Sequence, residues 1–164
     1  MGRICALMVL VLALAGCGRT EVMEYVTDEP ASPVVAEPAE IRVDLPEDSV
    51  MPAMESDTGK IYICEDYDVS LQTMDRGNLD ATVRSVSGFG TGEVTLIQTG
   101  WGDVDRYEFV WTSAGERGQQ VGRATILDDG NYHYVLSALI RAEKMAEYQE
   151  VWNGIFESFH LVQY

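Results

Sequence analysis

From residue 93 to residue 140 the chain repeats one pattern, a β-rich run closed by a short polar turn, and this constrains the fold to an antiparallel sheet. Residues 93–99 form the first run, turned by Gly100-Trp101-Gly102-Asp103. Residues 106–112 form the second, with Tyr107, Phe109 and Trp111 on one face, because side chains alternate along a strand. Residues 114–118 loop, and residues 120–127 make the third run. Asp128-Asp129-Gly130-Asn131 carries the residues a tight hairpin needs, and residues 132–140 supply the fourth run.

The flanking sequence adds two more strands and two helices. Residues 60–65 and 69–74 are β-rich and separated by Asp66-Tyr67-Asp68, which reads as a hairpin or a bent strand pair. Asn78 is a good N-cap for a short helix whose apolar residues Leu79, Val83 and Val86 share a face, with Gly88 placed to end it. Residues 41–45 alternate apolar and polar before Pro46, a half-buried strand. Residues 46–59 read as an irregular connection. At the far end Met145, Tyr148, Trp152, Ile155, Phe156 and Phe159 fall on one side of a helix predicted over 141–158. The expected class is α+β: an antiparallel sheet of about six or seven strands packed against a short helix and a long C-terminal helix.

Composition divides the chain. Fourteen of its fifteen aromatic residues lie at or after Tyr62, whereas all five prolines lie between Pro30 and Pro52. Residues 18–40 hold six acids, one base and a single aromatic, Tyr25, too little apolar surface to offset the entropy of ordering. With Pro30, Pro33 and Pro38 among them, they read as a disordered acidic tether. The whole chain carries 27 acidic and 11 basic side chains, a formal charge of −16. Phosphate backbones would be repelled, which argues against a nucleic-acid partner and for a partner with a basic surface.

Arg3 followed by an apolar run from Ile4 to Ala15 has the length of a secretory signal and is short for a bilayer span. The run closes on Leu14-Ala15-Gly16-Cys17. That ending resembles the bacterial lipobox, in which the cysteine thiol is acylated and becomes the first residue of the mature chain. The resemblance implies a signal peptide over 1–16 and a lipidated Cys17; composition then gives a disordered tether over 17–40 and a single domain over 41–164. The lipobox resemblance places the protein in the cell envelope, held to a membrane by lipid on Cys17 and facing outside the cytoplasm. Removal of Arg3 with the signal would leave 10 basic against 27 acidic groups, a charge of −17. An ordinary secretory signal cut near Ala15, or an uncleaved anchor, is the alternative.

The element order, together with the closing Ile155-Phe156-Glu157-Ser158-Phe159, resembles the DcrB- and PsbP-like α/β/α sandwich domains. That resemblance covers about residues 40–164. It implies a fold more than an activity: members are mostly non-enzymatic accessory or assembly factors, with no catalytic residues to carry over.

No constellation of residues spells out an enzyme. His133 lies on a strand between Tyr132 and Tyr134 and reads as a hydrogen-bonded strand histidine rather than a base or ligand. His160 follows the last helix and suits its C-terminal dipole. Asp66 and Asp68 with Glu65, Asp103 with Asp105, and Asp128 with Asp129 are paired acids that could bind calcium, but turn chemistry explains them and no twelve-residue ligand loop is present. Ser113 lacks a nucleophile-elbow sequence. The glycine-rich Gly88-Phe89-Gly90-Thr91-Gly92 follows a helix and precedes a strand, the wrong order for a phosphate cradle. Cys64 reads as a buried thiol, and Tyr107, Phe109 and Trp111 as core. The expectation is a non-catalytic binding or assembly module, without cofactor or structural metal. The alternative is a small-ligand or calcium-binding lipoprotein, with Asp66, Asp68, Asp103, Asp105 and His133 as its weak candidates.

Overall fold

The computed structural model describes residues 36–47, 51–115 and 118–162. Cys17 and its lipobox residues Leu14, Ala15 and Gly16, with the signal and most of the tether, lie outside the described residues. The strands are β1 (Ile41–Arg42), β2 (Met54–Ser56), β3 (Gly59–Ile63), β4 (Tyr67–Asp75), β5 (Ile97–Trp101), β6 (Val104–Gly115), β7 (Gly118–Asp128), β8 (Tyr132–Arg141) and β9 (His160–Leu161). The helices are α1 (Leu79–Ser87) and α2 (Gln149–Ser158). Seven strands form one sheet in the order β2-β3-β4-β8-β7-β6-β5, every neighbouring pair antiparallel, and β1 and β9 pair as a small second sheet. The α+β expectation holds.

Alternation along the strands sorts the apolar residues onto two faces. On one, Tyr67, Val69 and Leu71 of β4 meet Tyr134, Leu136, Ala138 and Ile140 of β8, under Trp152, Ile155 and Phe156 of α2. On the other, Phe109 and Trp111 of β6, Ala124 and Ile126 of β7 and Val135 of β8 pack under Val83 of α1. The result is a helix–sheet–helix sandwich. The stripe of Tyr107, Phe109 and Trp111 belongs to the second core, with the Phe109 and Trp111 rings 5.6 Å apart. Gly122 sits opposite Trp111, and a Cβ there would come within 2.1 Å of the indole, so the bare backbone is the socket for that ring. Cys64 is buried in the first core.

Local signals position α1 as expected. Asn78 Oδ1 accepts from the Asp80 N–H at 2.8 Å, and Gly88, at φ 83°, closes the helix by donating to the Arg84 carbonyl. The glycine-rich stretch after it folds back: the Thr91 N–H and hydroxyl both donate to Asp80 Oδ1, at 2.7 and 2.9 Å. These bonds, the backbone N–H first, hold the Asp80 carboxyl below its usual range. The loop consumes residues expected in the first strand of the meander, so β5 begins at Ile97 rather than 93.

The long terminal helix is the clearest correction. The β7–β8 ladder continues to Arg141, which lies opposite Gln120, so strand replaces the expected first helical residue. A single 3-10 turn, Ala142–Lys144, follows, and α2 starts only at Gln149, ten residues long. Met145 is exposed rather than part of the packed face. Ion pairs described below fix this segment against the strand end and override its helical periodicity. The strand expected over 41–45 is also shorter: β1 has two residues, and its partner β9 was not foreseen. The residues ahead of it are bonded to the sheet as well. Tyr132 Oη donates to the Ala36 carbonyl at 2.7 Å, and the Ala39 N–H donates to Tyr134 Oη at 2.8 Å.

Trp152 is 4 % exposed under α2, so Trp152→Ala should cost about 3–5 kcal/mol in chemical denaturation, cavity and transfer terms together. Gly122→Ala should cost about 1–3 kcal/mol by displacing Trp111, and near-ultraviolet circular dichroism should report the indole's new environment.

Candidate functional site

The β7–β8 hairpin shows why the paired acids there are turn residues. Asp128 Oδ1 accepts from the Gly130 N–H at 2.9 Å, and Asp129 Oδ1 accepts from the N–H groups of Asn131 and Tyr132, both at 2.8 Å. Asp129 Oδ2 accepts from the Tyr134 hydroxyl at 2.8 Å. Burial pushes the Asp129 carboxyl up, and these donors outweigh it and hold it low. The same burial, with the carboxylate beside it, pushes Tyr134 up to about 12.

His133 has 1 % of its surface exposed, on the face covered by α1. Its Nδ1 lies 2.7 Å from Thr82 Oγ1 of α1, and its Nε2 lies 3.5 Å from Asp128 Oδ2. Arg76 Nε donates to the same Asp128 carboxylate from solvent, at 3.1 Å. A hydroxyl, an imidazole and a carboxylate in line have the residue types of a hydrolytic triad, but Thr82 is itself buried, at 5 % exposure. The line joins α1 to the sheet through a satisfied polar path. Ser113 cannot join it: it lies opposite Gln120, while His133 lies opposite Asp128, eight residues along β7 and about 27 Å away at about 3.4 Å per residue.

Asp66 is the other buried acid. Its Oδ1 accepts from Arg141 Nη2, and its Oδ2 accepts from Tyr148 Oη at 3.1 Å with Lys144 Nζ at 3.4 Å. The Arg141 guanidinium is the main reason its carboxyl is held below the usual range. Two cations and a phenol therefore meet both oxygens of this carboxylate, and they anchor the segment between β8 and α2. Asp68 lies on β4 opposite Ile63 and Leu139, lining a separate hollow of about 300 Å³ with Ser70, Ser113 and Ser137. Asp103 is exposed in the β5–β6 turn. Asp105 is exposed on β6 opposite Asp128, accepting from Gln98 Nε2 at 3.4 Å. Among the described residues, no group of three or more His, Cys, Asp or Glu side chains comes together to hold a metal.

The larger opening lies elsewhere, where α2 ends short of the sheet's β5 side. A groove of about 690 Å³ runs between the face of β5 and β6 and the strand β9. Val104, Leu127, Phe159 and Leu161 make its apolar floor. Thr99 and Gly100 form one rim, with Glu157 and His160 on the other. Arg106 enters from β6, but its guanidinium is already engaged: it donates to the carbonyls of Phe156, at 2.8 Å, and Phe159, at 3.1 Å, and to Glu108 Oε1 at 2.6 Å. It caps the end of α2, where the helix dipole favours a cation. His160 Nδ1 adds a donor to the Ser158 carbonyl at 2.6 Å, the role expected for it. The groove has the size of a ligand site and a mostly apolar lining. Sequence reasoning missed it because its walls come from β5, β6, β7, the end of α2 and the unforeseen β9.

No protein-family model matches the chain, and no curated protein matches it. Among solved structures, LpqN, involved in cell envelope biogenesis of Mycobacterium tuberculosis, is similar over 78 % of this chain and 87 % of that chain, at 13 % identity and a TM-score of 0.48. A likeness at that level says nothing about what this chain does.

The Asp66 cluster has a pH signature. A folded pKa below the unfolded one stabilises the fold above the unfolded value, about 3.9, and that contribution fades as pH falls through the folded value. Asp66→Asn should therefore lower the denaturation midpoint by a constant margin between pH 5 and 8, and the margin should shrink below pH 4. A margin that does not change down to pH 2 would rule out the charge as its source.

Proposed function

We propose that this chain is a membrane-anchored, extracytoplasmic bacterial lipoprotein whose domain, of the DcrB- and PsbP-like kind, is a non-catalytic binding or assembly module. The lipobox at Leu14-Ala15-Gly16-Cys17 supports the anchor, and the three-layer arrangement is in keeping with the domain type. No helix among the described residues is long and apolar enough to cross a membrane.

One observation supports the contact reading: the two buried polar clusters, at His133 and at Asp66, lie away from the groove, whose rim carries Glu157 and a His160 bonded to the Ser158 carbonyl. His133, Asp128 and Thr82 are buried against one another under α1, and Asp66 is neutralised by Arg141 and Lys144. The groove instead presents an apolar floor, and its arginine is spent on backbone carbonyls. A nucleophile, base and orienting group would have to converge on a reacting atom in a cleft. The groove's volume supports a second reading, small-ligand binding. The calcium form of that reading loses Asp66 to its cationic partners.

Two substitutions test the proposal. Cys17→Ser should abolish incorporation of labelled palmitate and release the protein from the membrane fraction, and equal labelling of the variant would refute the anchor. His133→Gln keeps a polar side chain in the buried path. In cells where loss of the protein has a phenotype, this variant should function if it folds. Loss of function with the fold intact would point to catalysis at His133.

A further inference from the structure

The two edges of the main sheet are treated differently. The β2 edge has three residues and carries Glu55, paired with Lys60 at 2.8 Å. Short edge strands and charges are the usual protection against unwanted pairing. The β5 edge, Ile97-Gln98-Thr99-Gly100-Trp101, has five residues, with no charge and no proline. Among the described residues β5 pairs only with β6, so its outer edge is open. Ile97, Gln98, Thr99 and Gly100 are all exposed, Ile97 by 58 %. In a chain with 38 charged side chains, an edge strand of five residues without a charge or a proline lacks the protection that the β2 edge has.

The groove lies directly beside this edge. Ile97 and Thr99 pair with Glu108 and Arg106, which puts them on the groove side of the sheet. Strand addition needs this pair of features: an open edge for main-chain bonds, and a pocket for alternate side chains. Charge selects the occupant. Asp103 and Asp105 stand exposed at one end of β5, and Glu157 on the groove's rim. The groove's cation, Arg106, is consumed internally. A second copy of this chain carries the same surplus of acids, with seven of its cations paired internally, so it offers this edge no cationic strand.

We infer that the outer edge of β5 receives an extended basic segment of a partner protein as an added strand, with alternate apolar side chains entering the groove over Val104, Leu127, Phe159 and Leu161. This rests on the contact reading and gives it a location and a partner chemistry.

The test uses the full chain carrying Cys17→Ser and three probes: an octapeptide alternating lysine and valine, the same peptide with alternate backbone amides N-methylated, and one alternating glutamate and valine. The first should bind, protect β5 amides from hydrogen exchange, and weaken as salt rises. N-methylation, the glutamate peptide, and Thr99→Lys or Ile97→Lys in the protein should each weaken binding at least tenfold. Exposed positions were chosen so that the variants fold, which circular dichroism verifies. Equal binding of the N-methylated peptide, or protection confined to other strands, overturns the inference and leaves the contact reading standing. So does a dimer in sedimentation that Thr99→Lys dissociates, since the edge would then serve a second copy. Absence of binding by any peptide overturns the inference as well. If His133→Gln also abolishes function in cells with the fold intact, the contact reading falls with it.

Discussion

Strand β8 is buried on both faces, and the rest of the structure is organised around that constraint. Tyr134, Leu136, Ala138 and Ile140 point to one side, and His133 and Val135 to the other, all almost without exposure. A central strand of this kind needs cover above and below, so α1 and α2 must lie on opposite faces of the sheet. The imidazole on the α1 side could not be buried unpaired without substantial cost. Thr82 from the helix and Asp128 from β7 supply its partners, and the same contact fixes α1 over the sheet.

Loops and helix ends are tied down by a few side chains that each satisfy several backbone groups. Asp80 holds the loop after α1, Asp129 builds the β7–β8 turn, and Arg106 caps α2. Arg123 lies 4.4 Å from the centre of the Phe156 ring and donates to Asn153 Oδ1, so α2 is held to the sheet by a cation as well as by apolar contact. Trp152 Nε1 and Thr125 Oγ1 are buried without a hydrogen-bond partner among the described residues. Packing in that layer therefore rests on burial more than on polar satisfaction.

Much of this was legible in the sequence, for local reasons. Asn78 and Gly88 announce α1 because capping is decided within a few residues, and Asp128-Asp129-Gly130-Asn131 announces its hairpin for the same reason. The meander followed from two-residue alternation, and burial of His133 was in keeping with its place among strand aromatics. The helix over 141–158 failed because Met145 and Tyr148 have helical spacing while Arg141, Lys144 and Tyr148 answer to Asp66, some 75 residues away. Likewise β9 depends on β1 across the whole domain, and the groove depends on β9. Non-local pairings of this kind leave no periodic trace in either segment.

The acidic composition takes on a different meaning once the cations are placed. Lys60, Arg76, Arg84, Arg106, Arg123, Arg141 and Lys144 each meet a carboxylate within the domain. Several of these pairs are exposed and contribute little to stability. Their effect on the surface potential is larger. Seven basic groups are drawn into internal pairing, so among the described residues many acids are left exposed without a cation beside them. Asp103, Asp105 and Glu157 around the open end of the sheet are among them. A partner there would meet a field of one sign beside an uncharged strand edge. Such a field would speed encounter with cationic segments and reject anionic ones, while main-chain pairing and the apolar floor would set how long a complex there lasts.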